Sequence, residues 1–248
     1  QDTLPTKNDL AVLKATSYGD TTAFRSVTYK EKIKTITFED EINVPSNAIE
    51  SWDIGVSQNG NVMAYVVPNG SDSTYYDLYI QGDGKIYANE NMSYWFSGLT
   101  YVDEINGLEL LETEHVTNMG YLFYKTGYES TVFMLSVNNF NTRNVTNMAV
   151  MFYETGYNST NFTLDISNFD TSNVLNMTNM FYETGYKSAI FTLKLGEFDT
   201  SKVTNMEKLF QRAGYSSTKF NTSITIRNPN TTSYDLMFES VATKTGSK

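Results

Sequence analysis

The chain has 248 residues, no cysteine and a formal net charge of −10, with 40% apolar and 14% aromatic residues. The negative charge argues against nucleic acid as a partner, because its phosphates would be repelled, and the chain has no basic face to attract an anionic membrane. The missing cysteines exclude disulfides and thiol catalysis, and no apolar run approaches the roughly 18 residues that a membrane-spanning helix needs, so membrane insertion is not expected.

The first third of the chain is predicted to form strands and turns. Three runs rich in β-branched or aromatic residues are bounded by turn residues, which is typical of strands, and they span 32–38, 61–67 and 75–80. A short helix is predicted over about Leu10 to Tyr18. Residues 1–86 do not share the period of the rest of the chain, so we expect them to be an N-terminal capping region. A separate ligand-binding domain is the alternative.

From about Tyr87 the sequence repeats with a step of 29 residues. The step joins Val116, Val145, Val174 and Val203, then Met119, Met148, Met177 and Met206, then Phe123, Phe152, Phe181 and Phe210, then Gly127, Gly156, Gly185 and Gly214. Degraded copies lie at 91–96 and 232–238, as expected for the terminal units of an array. The second predicted region is therefore residues 87–248, with about six repeats.

One unit shows the predicted local structure. Phe162–Ile166 alternates apolar and polar residues, which indicates a half-buried strand, and residues 169–173 are rich in turn and capping residues. Val174, Met177 and Met180 then recur at helical spacing, and Gly185 is placed to end that helix with a positive φ.

Stacked units of this kind bury apolar edges that a single unit cannot bury alone. The sequence therefore predicts an α/β fold, a leucine-rich-repeat-like solenoid with a parallel strand plus a short helix in each repeat. A mixed, mainly β N-terminal cap would precede it.

The strings Asn168–Val174 and Glu197–Met206 resemble the repeat NFDTSNVTNMxxMF of BspA-like leucine-rich-repeat surface proteins. The resemblance covers about Leu108 to Phe238. It implies an exported or cell-surface protein of a Gram-positive bacterium or a mycoplasma, with adhesion or host-protein binding suggested for some members, and it implies no catalytic residues. The chain departs from the pattern at Tyr153–Tyr157, where the family often has a small or cysteine-containing segment.

Catalytic chemistry finds little support in the sequence. His115 is the single histidine, and it lies at a position where other units carry Asn or Lys. Neither zinc nor a histidine-based triad is expected, and no cofactor is implied. The pairs Asp165 with Asp170 and Glu154 with Glu183 could approach the carboxylate spacing of a glycosidase, but acidic residues that recur with the repeat are more simply a surface stripe.

Two polar ladders and two aromatic ladders follow the repeat. The polar ones are Asn118, Asn147, Asn176 and Asn205, and Thr113, Thr142, Thr171 and Thr200. We interpret them as side chains that satisfy backbone groups at the turns. The aromatic ones are Tyr124, Tyr153 and Tyr182, and Tyr128, Tyr157, Tyr186 and Tyr215. The tyrosines after the glycines are interpreted as packing residues, and the other set is left open as a candidate contact surface.

The outward positions of the predicted strands form the second candidate surface. They vary from unit to unit while their inward neighbours stay mostly apolar, as a recognition surface on a repeated frame requires. These positions are Met134, Ser136, Thr163, Asp165, Thr192, Lys194, Asn221 and Ser223.

The function expected from the sequence is a non-catalytic, secreted or cell-surface repeat protein of a bacterium that mediates adhesion or protein–protein binding. Its partner would be a host or matrix protein. One alternative is a carbohydrate-binding module that uses exposed tyrosines together with Trp52 or Trp95. Another is a structural spacer.

Overall fold

The computed structural model describes residues 11–20, 22–220, 222, 224, 227 and 228, and the fold is given for these residues. Its elements are β1 (Ala11–Val12), a 3-10 turn (Thr22–Phe24), α1 (Val27–Lys32), β2 (Ile33–Glu39), β3 (Glu50–Asp53), β4 (Val62–Pro68), β5 (Tyr76–Gly82), β6 (Ile86–Tyr87), β7 (Glu104–Asn106), a second 3-10 turn (Leu108–Leu110), β8 (Leu111–Glu112), β9 (Asn161–Asp165) and β10 (Ile190–Lys194).

A five-stranded sheet forms the N-terminal part, with strand order β3-β4-β5-β2-β7. The three strands predicted there are present as β2, β4 and β5. Strands β3, β4 and β5 pair antiparallel, whereas β2 pairs parallel with both β5 and β7. Alternate residues such as Ile36, Phe38 and Ala64 are buried on one face, so the period of two in the sequence sets the inner face of this sheet.

The helix predicted near the N-terminus is wrong. Ala11–Val12 is a strand that pairs parallel with β6, and β6 pairs parallel with β8, which makes a three-stranded sheet. Leu10, where that helix was to begin, lies outside the described residues. The apolar residues that suggested a helix instead point into the core, where Ala11 and Leu13 are buried.

The repeat units lie on one another in register. Parallel bridges join equivalent asparagines from unit to unit, at Asn91, Asn118, Asn147, Asn176 and Asn205. A column of stacked phenylalanines, with centroids 5.2–5.8 Å apart, runs through Phe96, Phe123, Phe152, Phe181 and Phe210. One buried apolar cluster contains these rings as well as residues of the five-stranded sheet. The predicted boundary after residue 86 stays a prediction.

The helix predicted in each unit is wrong, and the backbone hydrogen bonds show why. In the unit after Val174, every second N–H donates to a carbonyl of the next unit at 2.9–3.0 Å, and these donors are Met177, Asn179, Phe181 and Glu183. The N–H groups of Met180, Tyr182 and Thr184 donate to carbonyls three residues earlier. An α-helix would instead direct each N–H to the residue four positions earlier. Asn179 and Glu183 also have φ of 54° and 51°, a left-handed conformation that a right-handed helix cannot contain.

The predicted fold class is therefore corrected. Among the described residues the helical structure consists of α1 and the two 3-10 turns, and the sheets mix parallel with antiparallel pairing. This part of the chain is mostly β, and a leucine-rich-repeat-like solenoid with a helix in each repeat is not seen in it. The strand predicted in each unit is present as β9 and β10, which pair in parallel, whereas the equivalent segment at 133–137 forms a single bridge from Met134.

Candidate binding surface

The outward positions of β9 and β10 form neighbouring rows on one face. Thr163 pairs in register with Thr192, and Asp165 pairs with Lys194. The intervening Phe162 and Leu164 are buried, because successive side chains of a strand point to opposite faces. The step of 29 residues therefore places equivalent outward side chains side by side.

The segment at 133–137 continues this face on the other side of β9. Phe133, Leu135 and Val137 are buried, whereas Ser136 is exposed and 61% of Met134 is exposed. Met134 forms a parallel bridge with Glu104 of β7, and its N–H donates to the carbonyl of Asp103 at 2.8 Å. The face thus extends from the edge of the five-stranded sheet across the repeat units, and we call it the outer sheet face.

An open groove of about 570 Å³ lies on the outer sheet face. Four of the predicted site residues line it, namely Met134, Ser136, Thr163 and Asp165. Thr192 and Lys194 lie on the adjacent strand β10 and are not part of the lining. Asn221 and Ser223 lie outside the described residues.

Four polar lining residues were not found from the sequence, namely Glu104, Asn106, Asn138 and Asn161. Glu104 and Asn106 are the outward positions of β7, whose sequence is not a copy of the repeat unit, so the period gave no sign of them. Asn161 lies two residues before Thr163, and extending the strand alternation by one step would have identified it. Next to the groove positions, Val132 and Ile190 are also exposed, which adds apolar area to this face.

The carboxylate of Asp165 is held in place by three contacts. Its Oδ1 accepts from both the hydroxyl and the backbone N–H of Ser167, at 2.6 and 3.1 Å, and its Oδ2 lies 3.0 Å from Nζ of Lys194. The Ser167 hydrogen bonds, followed by Lys194, lower the pKa of Asp165 to about 2. Asp165 is therefore ionised and oriented, while the Lys194 amine beside it remains largely exposed.

The tyrosine ladders cover their own ring faces. Tyr153 lies 5.2 Å from Tyr124 and stacks on Tyr182 at 4.5 Å, and all three residues are half-buried. The second ladder stacks at 4.6–5.0 Å through Tyr128, Tyr157, Tyr186 and Tyr215. Burial, and then the nearby Glu183, raise the pKa of Tyr157 to about 12. Neutral rings that stack on one another present mainly their edges to solvent.

A column of charged residues separates the two tyrosine ladders. Lys125 pairs with Glu154 at 3.3 Å, and Arg212 pairs with Glu183. Glu183 is buried, and this burial raises the pKa of its carboxyl, an effect that Arg212 opposes and Glu154 reinforces. In the Glu154–Glu183 pair, which was considered for glycosidase chemistry, each carboxylate thus has a cation of its own.

The polar ladders satisfy backbone groups, as interpreted from the sequence. In each unit the asparagine Oδ1 accepts the N–H two residues later at 2.9–3.0 Å, as Asn147 does for Ala149 and Asn176 does for Thr178. The hydroxyls of Thr142 and Thr171 donate to a carbonyl of the next unit at 3.0 and 2.8 Å. These side chains are therefore part of the frame.

Both tryptophans considered for sugar binding lie in the core. Trp52 and Trp95 are buried, and their indole N–H groups donate to the carbonyls of Ala23 and Lys14 at 2.9 and 2.7 Å. Within the described part of the chain, no group of three or more His, Asp or Glu residues could hold a metal ion. None of the helices described there is long and apolar enough to cross a membrane.

The fold and this surface define a mainly β protein of tandem units, in which a repeated frame carries a varied outer sheet face. The chain belongs to the family described as "Mycoplasma protein of unknown function, DUF285", whose model matches residues 90–223, more than half of the chain. No curated protein and no solved structure matches the chain.

Proposed function

We propose that this protein is a non-catalytic binding protein, secreted or displayed on a bacterial cell surface, whose outer sheet face binds a host or matrix protein. One observation carries the proposal. Four of the outward positions that vary between units line one open groove, whereas most of the positions that recur are buried or bonded within the frame. The location is supported by the resemblance of its repeats to those of BspA-like surface proteins.

The chemistry of the groove suits a protein partner. Met134 and the nearby Val132 offer exposed apolar area, while Ser136, Thr163 and Asn161 offer hydrogen-bonding groups that adapt to different donors and acceptors. Protein interfaces typically combine a few apolar anchors with a polar surround. Asp165 adds a fixed negative charge that would favour a partner with a donor at that point.

The geometry gives less support to glycan binding by the tyrosines. A sugar packs its apolar side on the face of an aromatic ring, and in both ladders most ring faces are turned to neighbouring tyrosines. A glycan array with the wild-type protein and the Tyr153→Ala, Tyr182→Ala double variant separates the two functions. We expect no glycan signal from either protein.

The first prediction tests the proposed surface with a matched pair of variants. Purified extracellular-matrix proteins are immobilised and the Kd of the wild-type protein is measured by biolayer interferometry. Met134→Ala removes an exposed anchor in the groove, and we expect it to weaken binding by about fivefold or more, as truncating a central interface residue typically does. Leu175→Ala is the control, since Leu175 is 47% exposed but lies outside the groove.

Two outcomes contradict the proposal. Either no matrix protein binds, or the two variants weaken binding equally. A glycan signal that the tyrosine double variant abolishes would favour the carbohydrate-binding alternative.

A further inference from the structure

A second recess lies at the carboxyl end of β2. It has a volume of about 600 Å³ and is bounded by the loop after β2 and by the second 3-10 turn. Its lining shares no residue with the groove described above. We call it the acidic recess, and its lining includes Glu39, Asp40, Glu41, Glu109, Tyr65, Phe38, Pro45 and Leu110.

Four carboxylates line the acidic recess without a counter-charge. Glu39, Asp40, Glu41 and Glu109 form no ion pair with any described Lys or Arg, and no cationic side chain is part of the lining. The carboxylate of Glu39 accepts a hydrogen bond from Nε2 of Gln81 at 2.6 Å, which fixes its position. Like charges gathered in one concavity produce a negative potential that attracts a cation.

The hydroxyl of Tyr65 is a further polar group of the acidic recess. Tyr65 is only 6% exposed and lines the recess, yet its hydroxyl has no hydrogen-bond partner among the described residues. Its ring is held in place by stacking on Tyr79, with centroids 4.8 Å apart. Burial, and then the nearby Glu39, raise the pKa of Tyr65 to about 12, so the hydroxyl stays neutral and its oxygen can accept from a cationic donor.

Part of the remaining lining is apolar. Pro45 and Leu110 contribute ring and aliphatic surface beside the carboxylates. Lys and Arg side chains match this combination of apolar and charged surface, because each has an apolar stem that ends in a charged head. A bare metal ion fits less well, since no group of three carboxylates in the described residues is placed to hold one.

We propose that the acidic recess binds the Lys or Arg side chain of a basic peptide segment on a partner protein. The stem packs on Pro45 and Leu110, while the charged head donates to the Tyr65 hydroxyl and to the surrounding carboxylates. The lining residues of this site are separate from those of the groove, and its partner chemistry is different.

The test is an NMR titration of the 15N-labelled protein at low salt. The probes are the blocked pentapeptide Gly-Ser-Lys-Ser-Gly, its Arg analogue, and a norleucine analogue that keeps an aliphatic stem without the charge. We expect the Lys or the Arg peptide to shift the amides of Glu39 and Glu109, with a Kd that rises with salt because exposed charges are screened. The norleucine peptide is expected to produce no shifts.

Two variants and a matched control locate the site. Tyr65→Phe keeps the stacked ring and removes only the hydroxyl, and we expect a Kd about fivefold higher, in line with a hydrogen bond to a charged group. The double variant Glu39→Gln, Glu109→Gln should raise Kd about tenfold. The control Glu31→Gln, Glu129→Gln makes the same charge change at exposed positions outside the recess and should leave Kd within about twofold.

The proposal is overturned if the norleucine peptide binds as well as the charged ones, or if the recess variants bind like the control. Its failure is distinguishable from that of the proposed function, because Met134→Ala changes the groove alone and should leave the titration unaltered.

Discussion

Asp165 illustrates how a single residue in the groove depends on its neighbours. Its carboxylate is oriented by Ser167, two residues later in the chain, and by Lys194, one unit further on. The first contact is local and is formed by an Asx-type turn, whereas the second exists because β9 and β10 pair in register. A charged group in the groove is thereby fixed before any partner arrives.

At the scale of the residue, the prediction concerns the pKa of Asp165. The wild-type pKa should be about 2, and Ser167→Ala should raise it toward the ordinary 3.8 by more than Lys194→Met does, because the Ser167 hydroxyl is the largest single cause and the amine is mostly exposed. The pKa is measured by carboxyl 13C NMR in the three proteins. Asp170, which accepts from Ser172, is the internal control and should not change.

The sign of the pH effect follows from the depressed pKa. Asp165 contributes stability above the unfolded value near 3.8, and this contribution disappears as the pH falls through about 2. Because both partners are partly exposed, the contribution is under about 1 kcal/mol. A pKa for Asp165 that stays near 2 in Ser167→Ala would show that the Ser167 hydroxyl is not the cause of the lowered pKa.

At the scale of the element, the repeat period could be predicted from the sequence. The local backbone conformation could be predicted only in part. Alternation from Phe162 onward correctly predicted β9, because a strand with one buried face has a simple signature. The spacing of Val174, Met177 and Met180 suggested a helix, but a chain of three-residue turns places apolar side chains at much the same intervals. Hydrogen bonds between units, which decide the matter, leave no local periodicity in the sequence.

The residues with left-handed backbone conformation were not predicted, for a related reason. Lys125, Glu154, Glu183 and Arg212 all have positive φ, although none of these residue types favours it. The first, degraded unit carries Gly98 at the corresponding position, also with positive φ, and this glycine was the available sign. The same is true of the outer sheet face. Thr163, which lies in a repeat unit, was predicted from the sequence, whereas Glu104 of β7, which does not, was missed.

Gly185→Ala is the prediction for the turn element. Gly185 has a φ of +58°, and an added Cβ would lie 2.6 Å from Cδ2 of the buried Phe191 ring. We expect a loss of about 2–4 kcal/mol in the free energy of unfolding, from the left-handed backbone together with overpacking. Urea denaturation followed by circular dichroism measures it.

A matched glycine provides the control. Gly70 has no positive φ, and a Cβ built there meets nothing within 4 Å, so Gly70→Ala should change the free energy of unfolding by less than about 0.5 kcal/mol. Equal stabilities for the two variants would mean that Phe191 moves aside and that glycine is not required at position 185.

At the scale of the molecule, stability in the repeat region comes from contacts between successive units. The stacked phenylalanines, the asparagine bridges and the tyrosine ladders all join residues about 29 positions apart. Each unit therefore depends mainly on its two neighbours, and equivalent units offer each other almost the same partners. Deleting one whole unit should then cost less than deleting part of one.

Removing Val145–Asn173 tests this directly, because it joins Asn144 to Val174 and deletes one full step of 29 residues. Phe123 would stack on Phe181 in place of Phe152, and Lys125 would meet Glu183 in place of Glu154. We expect a monomer with an unchanged far-UV spectrum per residue and a Tm lower by about 5–10 °C, equivalent to roughly 2–3 kcal/mol for a chain of this size.

The shorter deletion Val145–Ser159 is the control. It removes Asn147 and Phe152 but leaves β9 in place, so the next unit loses its register. We expect this variant to aggregate or unfold, which size-exclusion chromatography would show. If the shorter deletion is the better tolerated of the two, neighbouring units are not held together by the step of 29 residues.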